Sequence, residues 1–287
     1  MCINNNNKNL GSYMAGLIEG DGTIYVPQVY RNKKNKINYP YIKICFNIKD
    51  KPLAEKIYKL FGGTIQENKL QTFVIWIVYK IDLLCDIIKL IGPYFRTLKI
   101  KKLNKLIWYL STFFNTYSSI KNNNIIYYFL NRSNIFSNAW LSGFSDADGN
   151  FNILISSRKK SKKKRIQISF RLELKKDETY FLICNKIANY FGVSLYTRER
   201  IKNKKIYFSY LIVAHSIRSH EKVCLYFDKY KLFSSKYFNY LDWKKIHLLQ
   251  KTKKIDENLN ICTNIKNNFN NKRKNFSWTH LSYFYLN

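Results

Sequence analysis

Acidic residues are scarce in this 287-residue sequence, where 18 Asp and Glu stand against 50 Lys and Arg and the formal net charge is +32. A field of that sign and size implies a polyanionic partner, and nucleic acid fits it better than a membrane surface does. No run of about 18 uncharged apolar residues occurs, so we predict no membrane-spanning helix. Residues 1–9 are rich in Asn and carry neither an apolar signal segment nor an Arg-rich amphipathic pattern.

Closely spaced cysteines are also missing. This argues against both a zinc knuckle and a disulfide framework, and it holds for all six, Cys2, Cys45, Cys85, Cys184, Cys224 and Cys262. Cys85 and Cys224 fall in corresponding apolar segments of the two halves, where we predict small core residues. The four histidines are scattered, and they do not form the dense His-Asn-His arrangement of another nuclease class.

Glycine and proline are few, at 10 and 4 residues, whereas Asn, Lys, Ile, Tyr and Phe are abundant. These abundant residues have AT-rich codons. The composition therefore indicates an organellar gene, for which we expect the mitochondrion, with the chloroplast as the alternative.

One short stretch occurs twice. Residues 14–22 read MAGLIEGDG and residues 141–149 read LSGFSDADG, 127 positions apart (141 − 14). In each copy two small residues lie four apart, which gives a helix a flat stripe that lets two backbones pack closely. A glycine then ends each helix, so that Asp21 and Asp148 fall in the last turn. The helix macrodipole disfavours a carboxylate there by roughly 0.3–1 kcal/mol unless a cation is near. Two such ends side by side would attract a hard divalent ion.

This doubled motif resembles that of the LAGLIDADG homing endonucleases in their single-chain form, over about residues 11–251. The first copy departs from the family pattern at Glu19 and Gly20, and the second departs at Ser142 and Ser145. Both copies keep the final acid and the glycine. The resemblance implies that these acids bind Mg²⁺, as two or three ions of which one is shared. The implied metal site consists of Asp21, Asp148, Gly20 and Ala147.

The acids two positions earlier, Glu19 and Asp146, face elsewhere on their helices, and we assign them a structural role. Family members often carry a lysine just before the last helix of each repeat, which would stabilise the pentavalent phosphate. Lys99 and Lys236 match that place, with Lys101 and Lys231 as alternatives.

Hydrophobic periodicity predicts an α+β fold of two αββαββα repeats with antiparallel four-stranded sheets. The family resemblance implies that the repeats are pseudo-symmetric, that the sheets are saddle-shaped and that the motif helices pack at the centre. We expect repeats at 1–115 and 137–252, a linker at 116–136 and a basic Asn- and Lys-rich tail at 253–287 with little order before Phe276. The first motif helix should be capped at Asn9, Gly11 or Ser12. The first two strands should span 23–30 and 38–47.

The polar face of each sheet is suited to double-stranded DNA, because a strand of about ten residues spans roughly 33 Å, near ten base pairs. The candidate contacts, for phosphates and major-groove edges, are Tyr25, Gln28, Lys43, Asn47, Gln66, Asn68, Asn150, Asn152, Arg165, Gln167, Ser169, Arg171, Arg198 and Arg200.

The leading hypothesis is an intron-encoded, site-specific DNA endonuclease that makes a staggered double-strand cut as a monomer. The alternative is a maturase that assists splicing of its host intron RNA on the same fold. A DNA-binding regulator without catalysis would leave the paired carboxylates unexplained.

Overall fold

Contacts between residues divide the chain into two units. The computed structural model describes residues 5–68, 70, 72–114, 126–158 and 161–285. Of these, the residues up to 147 together with 281–285 form the first unit, and residues 148–280 form the second. Cys2, residues 116–125 of the predicted linker, and residues 286 and 287 of the predicted tail lie outside the described part. The predicted repeat and linker boundaries stay a prediction.

The sheet of the first unit is antiparallel, with the strand order β1-β2-β4-β3. Along the second strand Ile42, Ile44 and Phe46 are buried and alternate with more exposed residues, because successive side chains of a strand point to opposite faces. One face therefore joins the core and the other is more exposed. The strands are β1 (Gly22–Tyr25), β2 (Tyr41–Asn47), β3 (Thr64–Asn68) and β4 (Phe73–Val78).

The helices of this unit pack on the apolar face of the sheet, where α1, α2 and α4 contact its strands. Pro52 lies in the first turn of α2, where its missing N–H costs nothing. Gly62 and Gly63 end that helix at φ of 66° and 94°, which other residues adopt only with strain. The helices are α1 (Asn5–Asp21), α2 (Lys51–Phe61), α3 (Ile81–Ile91), α4 (Lys99–Phe114) and α5 (Trp140–Asp148), whose last residue begins the second unit.

The second unit repeats this order, with a sheet arranged β5-β6-β8-β7 and antiparallel throughout. Its core is aromatic, and Phe151, Phe170 and Trp243 are almost completely buried. The elements are β5 (Asn150–Arg158), β6 (Ser161–Lys175), β7 (Leu195–Lys202), β8 (Lys205–Ala214), α6 (Glu178–Phe191), α7 (Ile217–Lys229), α8 (Lys236–Lys251) and α9 (Leu259–Asn267). The predicted α+β fold with two four-stranded antiparallel sheets is correct.

Three local predictions were wrong. The first motif helix begins at Asn5 and is not capped at Asn9, Gly11 or Ser12. β1 ends at Tyr25 and β2 begins at Tyr41, because the intervening chain folds on itself around Asn32, whose side chain accepts hydrogen bonds from the backbone of Lys34 and Lys36.

The tail is the third correction, since it contains α9 before Phe276. Cys262 and Phe269 are buried, Asn270 donates from its side chain to the Phe151 carbonyl (3.2 Å), and Arg273 pairs with Asp242. These contacts secure a segment whose polar composition had indicated little order.

Cys85 and Cys224 are buried, as predicted. Within the described part of the chain, the structure places no disulfide bond between cysteines. No helix in the described part of the chain is long and apolar enough to cross a membrane.

Candidate metal centre and nucleic-acid interface

The two motif helices, α1 and α5, cross at their small residues. A Cβ added at Gly16 would overlap the carbonyl oxygen of Trp140, and one added at Gly143 would overlap that of Tyr13. Ser12 contributes to the same seam, since its Oγ accepts a hydrogen bond from the Ala139 N–H at 3.1 Å. The stripe predicted from the sequence therefore does bring two helix backbones into direct contact.

Each helix also supplies a hydrogen-bond donor to the other helix's first acid. The Tyr13 hydroxyl donates to Asp146 at 2.7 Å, and Trp140 Nε1 donates to Glu19 at 2.5 Å. The two pairs correspond, because Tyr13 and Trp140 occupy equivalent positions of the repeat. Burial, and secondly the Asp146 carboxylate, raise the pKa of the Tyr13 hydroxyl well above its usual value, so it remains a donor.

Glu19 has further partners in the chain just before α4. The backbone N–H of Arg96 donates to both of its carboxylate oxygens at 3.0 Å, and Thr97 donates from N and Oγ1 at 2.5 Å. Burial raises the pKa of Glu19, whereas these hydrogen bonds and that of Trp140 lower it. Glu19 and Asp146 are only 3% and 6% exposed, which agrees with the structural role predicted for them.

The last acid of each motif has the opposite environment. Asp21 and Asp148 are exposed at the ends of their helices. The Asp21 carboxylate also influences the thiol of Cys45 on β2. Partial burial raises the pKa of this thiol, and the negative charge of Asp21 raises it further. This carboxylate therefore lies at the exposed face of the first sheet.

Lys99 supplies the cation that the end of α1 requires. Its ammonium group donates to the carbonyl oxygens of Ile18 (2.9 Å), Gly20 (3.0 Å) and Gly22 (2.8 Å). The last carbonyls of a helix have no partners within the helix, and a positive charge is favourable there. Since Thr97 binds Glu19 and lies two residues before Lys99, the buried acid holds the segment that presents this ammonium.

Lys236 begins α8 as Lys99 begins α4, and it is half-buried. The backbones match as well, since Lys99 N donates to Thr97 Oγ1 at 3.3 Å and Lys236 N donates to Ser234 Oγ at 3.1 Å. Of the alternatives, Lys101 is exposed on α4, and Lys231 is half-buried between α7 and α8.

The oxygen atoms near the ends of the motif helices decide whether a divalent ion could bind there. Within the described residues, no three His, Cys, Asp or Glu side chains group as a metal site. An ion at a motif terminus would therefore be held by an exposed aspartate and by backbone carbonyls such as that of Gly20. These are hard oxygen donors of the kind that Mg²⁺ and Ca²⁺ prefer, so the residues fit such an ion.

On the first sheet, strand register places Tyr25, Lys43 and Gln66 on the exposed face. Tyr25 stacks on Tyr41 with ring centroids 4.7 Å apart. Asn47 and Asn68 lie on the same face, but each side chain accepts a backbone N–H two residues ahead. Gln28 is exposed but lies beyond β1, so it is not part of the sheet.

On the second sheet, burial alternates along β6 as predicted. The register places all eight candidates of this half on the exposed face, namely Asn150, Asn152, Arg165, Gln167, Ser169, Arg171, Arg198 and Arg200. One acid, Glu173, lies among the last three of them.

A family model for the LAGLIDADG endonuclease matches residues 14–110 and 141–247, which include both copies of the doubled motif and both sheets. The chain belongs to the LAGLIDADG endonuclease family. The resemblance seen in the doubled motif is therefore confirmed.

Among curated proteins, the intron-encoded DNA endonuclease aI3 of Saccharomyces cerevisiae is 33% identical over 96% of this chain and 73% of its own length. An uncharacterized 37.2 kDa protein of cox1 intron 2 in Schizosaccharomyces pombe is 31% identical over 88% of this chain and 70% of its own length. Both relatives are thus named for the introns that encode them.

Solved structures show the same fold. The LAGLIDADG homing endonuclease I-LtrWI bound to target DNA superposes with a TM-score of 0.68 at 21% identity, over 93% of this chain and all of that one. I-SmaMI on uncleaved DNA in the presence of calcium ions gives 0.62 at 18% identity, over 90% and 98%.

Sequence reasoning missed several residues of this LAGLIDADG chain that shape the motif. Tyr13 and Trp140 hold the first acids, and Arg96 and Thr97 add backbone and hydroxyl donors. The shared 127-residue offset of Tyr13 and Trp140 was the available signal, because it marks both as aromatic donors at one repeat position.

Proposed function

We propose that this chain is a site-specific double-strand DNA endonuclease encoded by a mobile intron, which cuts a long target with a stagger and acts as a monomer. The observation that carries the proposal is that the two acids of each motif have different environments. The first acid is buried and hydrogen-bonded, while the last acid is exposed at a helix end. A protein that only bound DNA would have no use for an exposed carboxylate at the end of each motif helix, because each would repel a polyanion.

Asp21 and Asp148, together with the carbonyls of Gly20 and Ala147, would hold the divalent ions. Following the family resemblance, we propose Mg²⁺, as two or three ions of which one is shared. When bound, such ions lower the pKa of a water and stabilise the attacking and leaving oxygens of a phosphodiester. A carbonyl oxygen has two lone pairs, so Gly20 can accept from Lys99 and still face an ion.

The chain's own cations complete the site. Lys99 is held against the terminus of α1 by three carbonyls, so its charge is fixed in place before the scissile phosphate arrives. Preorganised charge of this kind stabilises a pentavalent phosphate at little cost in reorganisation. We propose Lys236 for the same role in the second repeat.

The exposed faces of both sheets would contact the duplex, with Lys and Arg on phosphates and polar side chains on base edges. The predicted repeats, 1–115 and 137–252, would each take one half of the target. The composition and the cox1-intron relative support a mitochondrial gene. The comparisons give the RNA maturase alternative no support.

The test is cleavage of DNA that spans the intronless insertion site of the host gene, with Mg²⁺ present. We expect a defined double cut with the native chain, and no double-strand cut with Asp21→Asn or Asp148→Asn while binding persists. The matched control is Asp86→Asn, which neutralises an exposed aspartate on α3 and should cut normally. Splicing of the intron RNA without any cut would favour the maturase, and loss of binding in folded Asp21→Asn would contradict the assigned role.

A further inference from the structure

Three arginines of the second sheet share one carboxylate. Glu173 accepts from Arg171 (3.4 Å), Arg198 (3.3 Å) and Arg200 (2.6 Å) through one oxygen, and from the Ser209 hydroxyl (2.7 Å) through the other. Strand register explains the meeting, since Arg198 lies opposite Ser209 and Glu173 lies on the neighbouring strand of the same face. We call these five residues the arginine cluster.

The carboxylate forms the floor of this cluster. Its side chain is 22% exposed, against 34%, 40% and 53% for those of Arg171, Arg198 and Arg200. Each guanidinium has five N–H donors, and the contacts with Glu173 use only part of them. Since the arginine side chains are more exposed than Glu173, donors that Glu173 does not use can reach a ligand.

Stability alone is a poor reason for this arrangement. Exposed ion pairs contribute little to stability because water screens them, and three like charges around one carboxylate repel one another. An acid is also unexpected on a face that would meet phosphates, where a neutral Gln would leave all three arginines free for the backbone.

A base pair, in contrast, matches the arginine cluster. The major-groove edge of guanine offers two acceptors, O6 and N7, to an arginine, and cytosine offers an N4 donor to a carboxylate. A phosphate could use the same remaining N–H donors, but the negative charge of Glu173 would repel it.

Building on the proposed function, we propose that Glu173 is a specificity-determining positioning residue, which directs the three arginines to guanines of G·C pairs and away from phosphates. The half-site over β6, β7 and β8 would then contain G·C pairs at adjacent positions. The base preference of this half-site would then depend on Glu173, although its negative charge lowers the sequence-independent affinity for DNA.

The test is selection from a randomised pool of double-stranded DNA with the full-length chain, followed by sequencing of the bound fraction. The native chain should enrich a motif with adjacent G·C pairs. Glu173→Gln should lose preference at those positions by about tenfold, while its affinity for random duplex rises. Its affinity should also fall more steeply with salt, because each new phosphate contact adds about 0.9 to the slope.

The matched control is Glu221→Gln. It removes an exposed acid that pairs with Lys251 (2.7 Å) on the helices of the same unit, and it should leave the motif unchanged. Arg198→Ala and Arg200→Ala provide independent variants, and both should lose preference at the same positions as Glu173→Gln.

An unchanged motif in folded Glu173→Gln would overturn the proposal. So would equal weakening of all sequences without any gain for random duplex, since that is the signature of a structural defect. If Glu173→Gln fails to fold, retained preference in the two arginine variants would be equally decisive. Failure of the proposed function is a different result, namely no enriched motif with the native chain.

Discussion

Replacing Glu19 by Gln should destabilise the protein far more than replacing Asp21 by Asn, although both changes neutralise a motif acid. Glu19 is buried and accepts from Arg96 N, Thr97 N, Thr97 Oγ1 and Trp140 Nε1. A glutamine keeps only one acceptor oxygen, and its NH₂ group is a donor. If the oxygen stays beside Thr97, the NH₂ group faces the indole N–H, and two donors oppose each other.

The size of the destabilisation follows from the Trp140 N–H, which loses its acceptor in Glu19→Gln. A buried polar group left without its partner costs about 1–3 kcal/mol. The loss is partly offset, because the glutamine removes a buried charge whose pKa burial has raised. We therefore expect Glu19→Gln to lower the free energy of unfolding by about 1–3 kcal/mol, whereas exposed Asp21→Asn should change it by less than about 0.5 kcal/mol.

Urea unfolding of the two variants, followed by tryptophan fluorescence, measures both values. A double-mutant cycle adds a second check, since Trp140→Phe removes the opposed donor and should make Glu19→Gln less costly in its background. Equal stability of Glu19→Gln and the native chain would refute the reasoning, as would additive effects in the cycle.

Two further predictions concern cations and pH. Lys99→Met keeps the length of the side chain but removes the ammonium group from three carbonyl oxygens. We expect it to lower the free energy of unfolding by about 1–2 kcal/mol and the cleavage rate by about 100-fold or more, with DNA binding retained. An unchanged cleavage rate would contradict the role of Lys99. Burial, and secondly His247, lower the pKa of His220 from 6.5 to about 4, so the unfolded chain takes up this proton first as the solution is acidified. Stability should therefore fall by about 3 kcal/mol between pH 6.5 and 4; His220→Phe should flatten this dependence in urea titrations at a series of pH values, and an equally steep fall would show that other groups cause it.

The sheets could be predicted because their signal is local. Along β6 the apolar residues alternate without interruption, and the burial found in the structure follows them. The limits of β1 and β2 could not be predicted in this way, because the chain between them contains strand-like residues such as Val29 and Tyr30. What ends the strands is a turn built on the side chain of Asn32.

The tail shows a second limit. Its Asn and Lys content indicated little order, yet Cys262 is buried on one side of α9 and Phe269 follows it into the core. A few apolar residues are sufficient to order the tail, since it also contacts distant segments of the chain through Phe151 and Asp242. The local composition of the tail contains no sign of these partners.

At the candidate site, the motif spacing assigned a structural role to the first acid of each copy and a metal role to the last, and in the structure the first acids are the buried ones. It did not predict Tyr13 and Trp140 as their partners, nor Glu173 as the centre of the arginine cluster. Such pairings depend on which residues of distant segments meet, and periodicity carries no information about that.

The two aromatic–acid pairs of the motif helices differ in a complementary way. Tyrosine carries its hydroxyl beyond the ring and faces the short Asp146, whereas the indole nitrogen of Trp140 is part of the ring and faces the longer Glu19. In each pair the side chain with the longer reach thus meets the one with the shorter reach, so that the two pairs bridge a similar distance between the helices. Transplanting one motif copy onto the other helix would therefore mismatch both lengths at once, and an engineer who recombines the halves must carry each aromatic together with the acid of the opposite helix.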